Sequence, residues 1–177
     1  MHTYISILRG INVSGQKKII MADLVKLYED LGFTDVKTYI QSGNVVFNST
    51  KKVSNSMLVK QIETKINEIY GFLVPVIIRT VDDLSKIIAS NPFKNETSEN
   101  LYITFLSNLP NSNHLENLTE LNYLPDEFII IEKEIYLNVS SYGTTKLSNS
   151  FFENKLKVTA TTRNWNTVNK LLAISTE

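Results

Sequence analysis

The stretch Val36-Lys37-Thr38-Tyr39-Ile40-Gln41-Ser42-Gly43-Asn44-Val45-Val46-Phe47 decides the fold. Two β-rich runs, Val36–Ile40 and Val45–Phe47, flank the polar segment Gln41-Ser42-Gly43-Asn44, which reads as a hairpin loop. Upstream, Leu24, Leu27 and Leu31 recur at steps of three and four and predict a helix closed by Gly32. Before that helix, Tyr4-Ile5-Ser6-Ile7-Leu8 reads as a strand ending at Arg9-Gly10. Downstream, Leu58, Ile62, Ile66 and Ile69 share one face of a longer helix stopped by Gly71. Val74-Pro75-Val76-Ile77-Ile78 closes the series as a strand, with its early proline suited to a strand start or an edge. The order β-α-β-β-α-β is that of a ferredoxin-like unit.

The rest of the chain repeats the plan. Thr80-Val81-Asp82-Asp83 has the form of a capping box and opens a short helix through Leu84, Ile87 and Ile88. Leu101–Leu106 reads as a strand, and Leu115, Leu118, Leu121 and Asn122 as a helix ended by Pro125. Phe128–Ile131 and Ile135–Val139 flank Glu132-Lys133-Glu134 as a second hairpin. A short helix is expected around Lys146 to Phe152, and a last one carries Trp165, Val168, Leu171 and Leu172. The expected fold class is therefore α+β, with two ferredoxin-like lobes at residues 1–80 and 101–177. Residues 81–100 form a helical connection. The second lobe reads as an incomplete copy, because its fourth strand, near Lys157 to Ala160, is weak. A C-terminal helix follows it.

Composition removes several chemistries. Of 177 residues none is cysteine, so disulfides, a thiolate nucleophile and cysteine metal sites are excluded. Only His2 and His114 could serve a histidine metal site, and neither a metal nor a cofactor is expected. Eighteen basic residues balance eighteen acidic ones, which disfavours a polyanionic partner such as nucleic acid. The charge is uneven, however: residues 1–52 and 141–177 each sum to +3, and residues 53–140 to −6. Among the cations only Arg9, Arg79 and Arg163 are arginine. In a lysine-rich chain a retained arginine either marks a place that uses a planar fork of donors or is residual usage. Met1–Leu8 lacks the basic start and apolar run of a signal peptide, and no window reaches the length of a membrane span. The expectation is a cytoplasmic protein with no membrane partner.

Three motifs carry chemistry. Arg9-Gly10-Ile11-Asn12-Val13-Ser14-Gly15-Gln16-Lys17-Lys18 runs from a strand into a glycine-bounded turn, a setting in which backbone N–H groups cradle anions. Its glycines have Walker A spacing, but Gln16 stands where the lysine belongs and no Ser or Thr follows Lys17, so a nucleotide-hydrolysing loop is not expected. In the second motif, Gln41 and Asn44 either pair across the hairpin or offer amides, beside Ser42, to a ligand. In the third, Thr159-Ala160-Thr161-Thr162-Arg163-Asn164-Trp165-Asn166, Asn164 or Thr162 suits a helix N-cap, with Arg163 beside the free N–H groups. Strands one and three are expected to run parallel. That places Arg9 and Asn12 at one end of the sheet, and the Gln41–Asn44 hairpin with Arg79 at the other. One pocket within a single lobe is then not expected to hold them all. No catalytic constellation is legible, and no catalytic residue is assigned.

Leu8-Arg9-Gly10-Ile11-Asn12-Val13, Thr38–Phe47 and Thr162-Arg163-Asn164-Trp165-Asn166-Thr167 together resemble the signatures of a bacterial family, the domains of unknown function numbered 1697. The resemblance spans essentially the whole chain. It implies ferredoxin-like α+β lobes in a small bacterial cytosolic protein, and supplies no activity, substrate or cofactor. The chain departs from it at Ser14, where the family usually has Gly. It departs again at Thr144-Thr145-Lys146-Leu147, where an Arg-Ser-Lys-Leu run is usual.

The favoured function is binding of a small phosphate- or carboxylate-bearing ligand. Its candidate contacts are Arg9, Asn12, Lys17, Gln41, Ser42, Asn44, Arg163 and Asn164. A non-enzymatic interaction module, for which a homodimer is the simplest form, is the first alternative. A weak RNA or DNA binder that stacks bases on Tyr4, Tyr39 and Phe47 is the second.

Overall fold

The computed structural model describes residues 1–119 and 123–177. In the first half, β1 (His2–Leu8), α1 (Met21–Asp30), β2 (Thr34–Tyr39), β3 (Asn44–Ser49), α2 (Asn55–Tyr70) and β4 (Val76–Thr80) follow in the expected order. They are succeeded by α3 (Val81–Ala89). The second half carries β5 (Leu101–Leu106), α4 (Ser112–Thr119), β6 (Glu127–Ile131), β7 (Glu134–Asn138), α5 (Asn149–Leu156), β8 (Ala160–Asn164) and α6 (Trp165–Ser175). Each half forms a four-stranded antiparallel sheet, ordered β2-β3-β1-β4 and β6-β7-β5-β8. By backbone packing the chain forms two compact units, Met1–Lys86 with Lys170–Glu177, and Ile87–Asn169. No helix among the described residues is long and apolar enough to cross a membrane.

Local signals place most boundaries. Gly32 and Gly71 take left-handed backbone beyond α1 and α2, where a side chain would be strained. The capping box is reciprocal: Thr80 N–H donates to Asp83 Oδ2 at 2.9 Å, and Asp83 N–H to Thr80 Oγ1 at 3.2 Å. In the last helix the Oδ1 of Asn164 accepts from Thr167 N–H at 2.8 Å, so Asn164 is the N-cap. At both junctions the strand passes into its helix with no intervening residue.

Burial follows the alternation of the strands. Tyr4, Leu8, Val45, Phe47, Val76 and Ile78 face α1 and α2, meeting Leu24, Leu27, Tyr28, Leu58, Ile62 and Ile66. Phe47 centres an aromatic group, with Phe33 at 4.5 Å and Tyr28 at 5.2 Å between ring centroids. In the second unit, Leu106, Ile135, Leu137 and Ala160 pack with Leu118, Phe152 and Leu156.

Three expectations need correction. The second lobe is a complete copy: its fourth strand is β8, which starts at Ala160 where the weak run was expected to stop. Its Thr-Thr-Arg-Asn sequence also reads as a helix entry, which hides the strand. The short helix expected around Lys146 to Phe152 is α5, which starts later, at Asn149, behind the N-cap Ser148. Strand β3 runs antiparallel to β1, not parallel to it. The reason is directional: the α1 crossover returns the chain along β1, and the β2–β3 hairpin then reverses it. The helix positions Leu121 and Asn122 lie outside the described residues.

Gly43 is the tightest point of the first sheet. Its φ is +82°, and a Cβ there would sit 2.7 Å from Leu8 Cβ and 2.8 Å from Ile11 Cδ1. Gly43→Ala is expected to lose about 2–4 kcal/mol in urea unfolding, from left-handed strain plus overpacking. Gly143→Ala, with open space around it, is expected to stay within about 0.5 kcal/mol.

Two buried phenols predict alkaline behaviour. Burial pushes the Tyr28 phenol up despite its 2.6 Å contact with the Ser6 hydroxyl. Burial, reinforced by Glu134 and Glu132, pushes Tyr136 up to about 12. The unfolded chain ionises these groups near pH 10, so stability falls as pH rises beyond about 10. Ultraviolet titration is expected to show both phenols ionising later than free tyrosine, and the double variant Tyr28→Phe/Tyr136→Phe to flatten that decline.

Candidate functional site

Antiparallel pairing of β1 with β3 brings the first two motifs together at one end of the first sheet. Leu8 N–H donates to Gly43 O at 2.8 Å, and Arg9 N–H donates to Pro75 O at 2.8 Å. The end of β1, the β2–β3 hairpin and the entry to β4 therefore meet here. Arg79 is at the opposite end, opposite Ile5 in the ladder.

The segment after β1 is a small hairpin finger rather than an open cradle. Ser14 and Gly15, at φ +50° and +74°, form its turn. Gln16 N–H donates to Val13 O at 2.9 Å and Asn12 N–H to Lys17 O at 3.2 Å. The Asn12 side chain ties this finger to the sheet. Its Nδ2 donates to Ile19 O and to Gln41 O, each at 2.9 Å, and its Oδ1 accepts from Ile19 N–H at 2.9 Å. Both amide hydrogens are thereby committed to backbone. Asn44 is fully buried and acts likewise, donating to Tyr39 O and Ser42 Oγ at 3.0 Å. Lys17 Nζ donates to Leu73 O at 2.7 Å, which draws in the loop between α2 and β4.

Of the eight candidate residues, Arg9, Asn12, Lys17, Gln41, Ser42 and Asn44 thus share one end of one sheet. Arg163 and Asn164 belong to the second unit. Arg163 is 9% exposed and lies within β8, with Nη1 donating to Thr161 Oγ1 at 3.0 Å and Thr162 O at 2.8 Å. It is a strand residue with an inward side chain, not an open cation beside a helix start. Arg79 is its counterpart, 3% exposed, with Nη1 donating to Ile78 O at 2.9 Å. Arg79 pairs with Ile5 as Arg163 pairs with Ile103, a correspondence the sequence reading did not find. Tyr4 and Phe47 are buried and stacked on each other at 5.7 Å, so neither offers a platform for a base.

The profile of a family described as "Protein of unknown function (DUF1697)" matches residues 1–136. The chain belongs to the DUF1697 family. The matched span contains the finger and the hairpin, while the Thr162–Thr167 motif lies beyond it. Among solved structures, the conserved bacterial protein SP0830 from Streptococcus pneumoniae is similar, at 22% identity over 98% of each chain and a TM-score of 0.76. That likeness is one of fold. A comparison with curated proteins gives no match. Ser14 falls on the finger's turn, in a left-handed backbone that favours glycine.

Sequence reasoning missed the finger and the role of Leu73. The signal for the finger was present: Ser14-Gly15 between Val13 and Gln16 is a two-residue hairpin turn. The separation between scaffold and surface is testable. Asn12→Ala and Asn44→Ala are each expected to cost about 1–3 kcal/mol in urea unfolding, because backbone groups lose their partners. Gln41→Ala, at an exposed position, is expected to stay within about 0.5 kcal/mol.

Proposed function

We propose that this chain binds a small phosphate- or carboxylate-bearing ligand at the finger end of its first sheet. The observation that carries the reading is the Asn12 bridge. It holds the finger bearing Lys17 and Lys18 against the hairpin bearing Gln41 and Ser42, next to Arg9. A site pre-organised in this way binds without the cost of ordering two loops. Lys17 has three ammonium hydrogens, and Leu73 O takes one of them. Arg9 supplies a planar fork suited to a carboxylate or phosphate edge. Gln41 adds an exposed amide that reads either anion. Asn12 and Asn44 act in this proposal as positioning residues, and Arg163 and Asn164 as parts of the second unit's own framework.

Thermal unfolding in a panel of inorganic phosphate, pyrophosphate, citrate and sugar phosphates tests the reading. At a concentration ten times Kd a ligand stabilises by about 1.4 kcal/mol, or roughly 3–6 °C for a chain of this size. The expected result is saturable stabilisation by at least one anion, lost in Arg9→Gln and Lys17→Gln and kept in Lys170→Gln. No stabilisation by any member at millimolar concentration, or an effect equal in all variants, overturns it.

A further inference from the structure

The same end of the first sheet carries an unusual surface. Val13 on the finger, Ile20 before α1, Ile40 on the hairpin and Leu73 before β4 are 58%, 64%, 49% and 70% exposed. Ile69, in the last turn of α2, is also exposed. The hydrogen bonds already described hold them together: Asn12 joins Ile19 and Gln41, the neighbours of Ile20 and Ile40, and Lys17 joins Leu73. Residues 9–20, 39–44 and 69–75, which build this end, contain Arg9, Lys17 and Lys18 and not one Asp or Glu. Asp23, in the first turn of α1, and Glu68, in the last turn of α2, flank this end. In a chain of zero net charge, the loops of this end thus combine exposed aliphatic side chains with three cations.

We infer that this end docks on an anionic lipid bilayer, with the aliphatic side chains entering the interface and the cations meeting lipid phosphates. The aliphatic groups stand on four separate turns with cations between them. A fluid interface closes around separate points of this kind, and apolar insertion plus attraction to anionic headgroups are the two terms that hold a protein there. The contact is peripheral. It shares Arg9 and Lys17 with the proposed anion site, but it is carried by Val13, Ile20, Ile40 and Leu73, which a dissolved anion does not use.

Sedimentation with vesicles tests it, using the full chain at low salt. The chain is expected to co-sediment with phosphatidylglycerol–phosphatidylcholine vesicles and not with phosphatidylcholine alone, and to dissociate as salt rises. Val13→Asp and Leu73→Asp are each expected to lower partitioning at least tenfold, and Lys18→Gln about fivefold. Circular dichroism and melting temperature confirm that these exposed variants fold. Stabilisation by dissolved anions is expected to survive Val13→Asp and Leu73→Asp, so failure of the bilayer contact and failure of the anion site read out separately. No binding to anionic vesicles overturns the inference. So does binding that Val13→Asp and Leu73→Asp leave unchanged, or light scattering in which wild type is a dimer and those variants are monomers.

Discussion

The contact between Gly43 and Leu8 is the constraint on which the first unit rests. A hairpin turn is seated directly on the central strand, with its glycine's missing side chain occupied by Leu8 Cβ and Ile11 Cδ1. The same glycine's carbonyl accepts the Leu8 N–H, so close approach and ladder register are set by one residue. With that register fixed, the start of β3 lies beside the end of β1, and the hairpin before β3 comes within reach of the turn after β1. The aromatic group around Phe47 on the inner face then follows from alternation along β3.

Polar residues in a recognisable motif invite a ligand reading, and two of them here have another occupation. A sheet end where three turns meet has many backbone N–H and C=O groups without ladder partners. An asparagine is matched to that problem, because its short side chain offers donors and an acceptor in one plane. Asn12 serves in this way, linking backbone groups that secondary structure leaves over, and Asn44 ties Tyr39 O to the Ser42 hydroxyl. The lysines and Gln41 are different in kind, since they lie on the outer side of the frame the asparagines hold.

What could be read from sequence was whatever depended on neighbours along the chain. Gly32 and Gly71 as helix ends, the Thr80–Asp83 box and the two hairpins all rest on a few consecutive residues, and all stand in the structure. The direction of β3 was legible too, had the crossover and the reversal been followed in turn. The partnership of Arg79 with Arg163 was hidden by unequal spacing. Ile5 and Ile103 are 98 residues apart, but Arg79 and Arg163 only 84. Much of that difference lies in the second helix of each lobe, sixteen residues in α2 and eight in α5. The assembly of the candidate site depended on Asn12 reaching Gln41 across 29 positions, and nothing local announces a contact of that range.

The junctions at Thr80/Val81 and Asn164/Trp165 have a mechanical meaning. Where most strands hand over to a helix through a loop that absorbs movement, here a single capped peptide joins them. The helix is a rigid arm bolted to its strand, about 14 Å long for α3 and about 17 Å for α6 at the usual rise per residue. A tilt of either strand is then amplified at the far tip of its arm instead of being lost at the hinge.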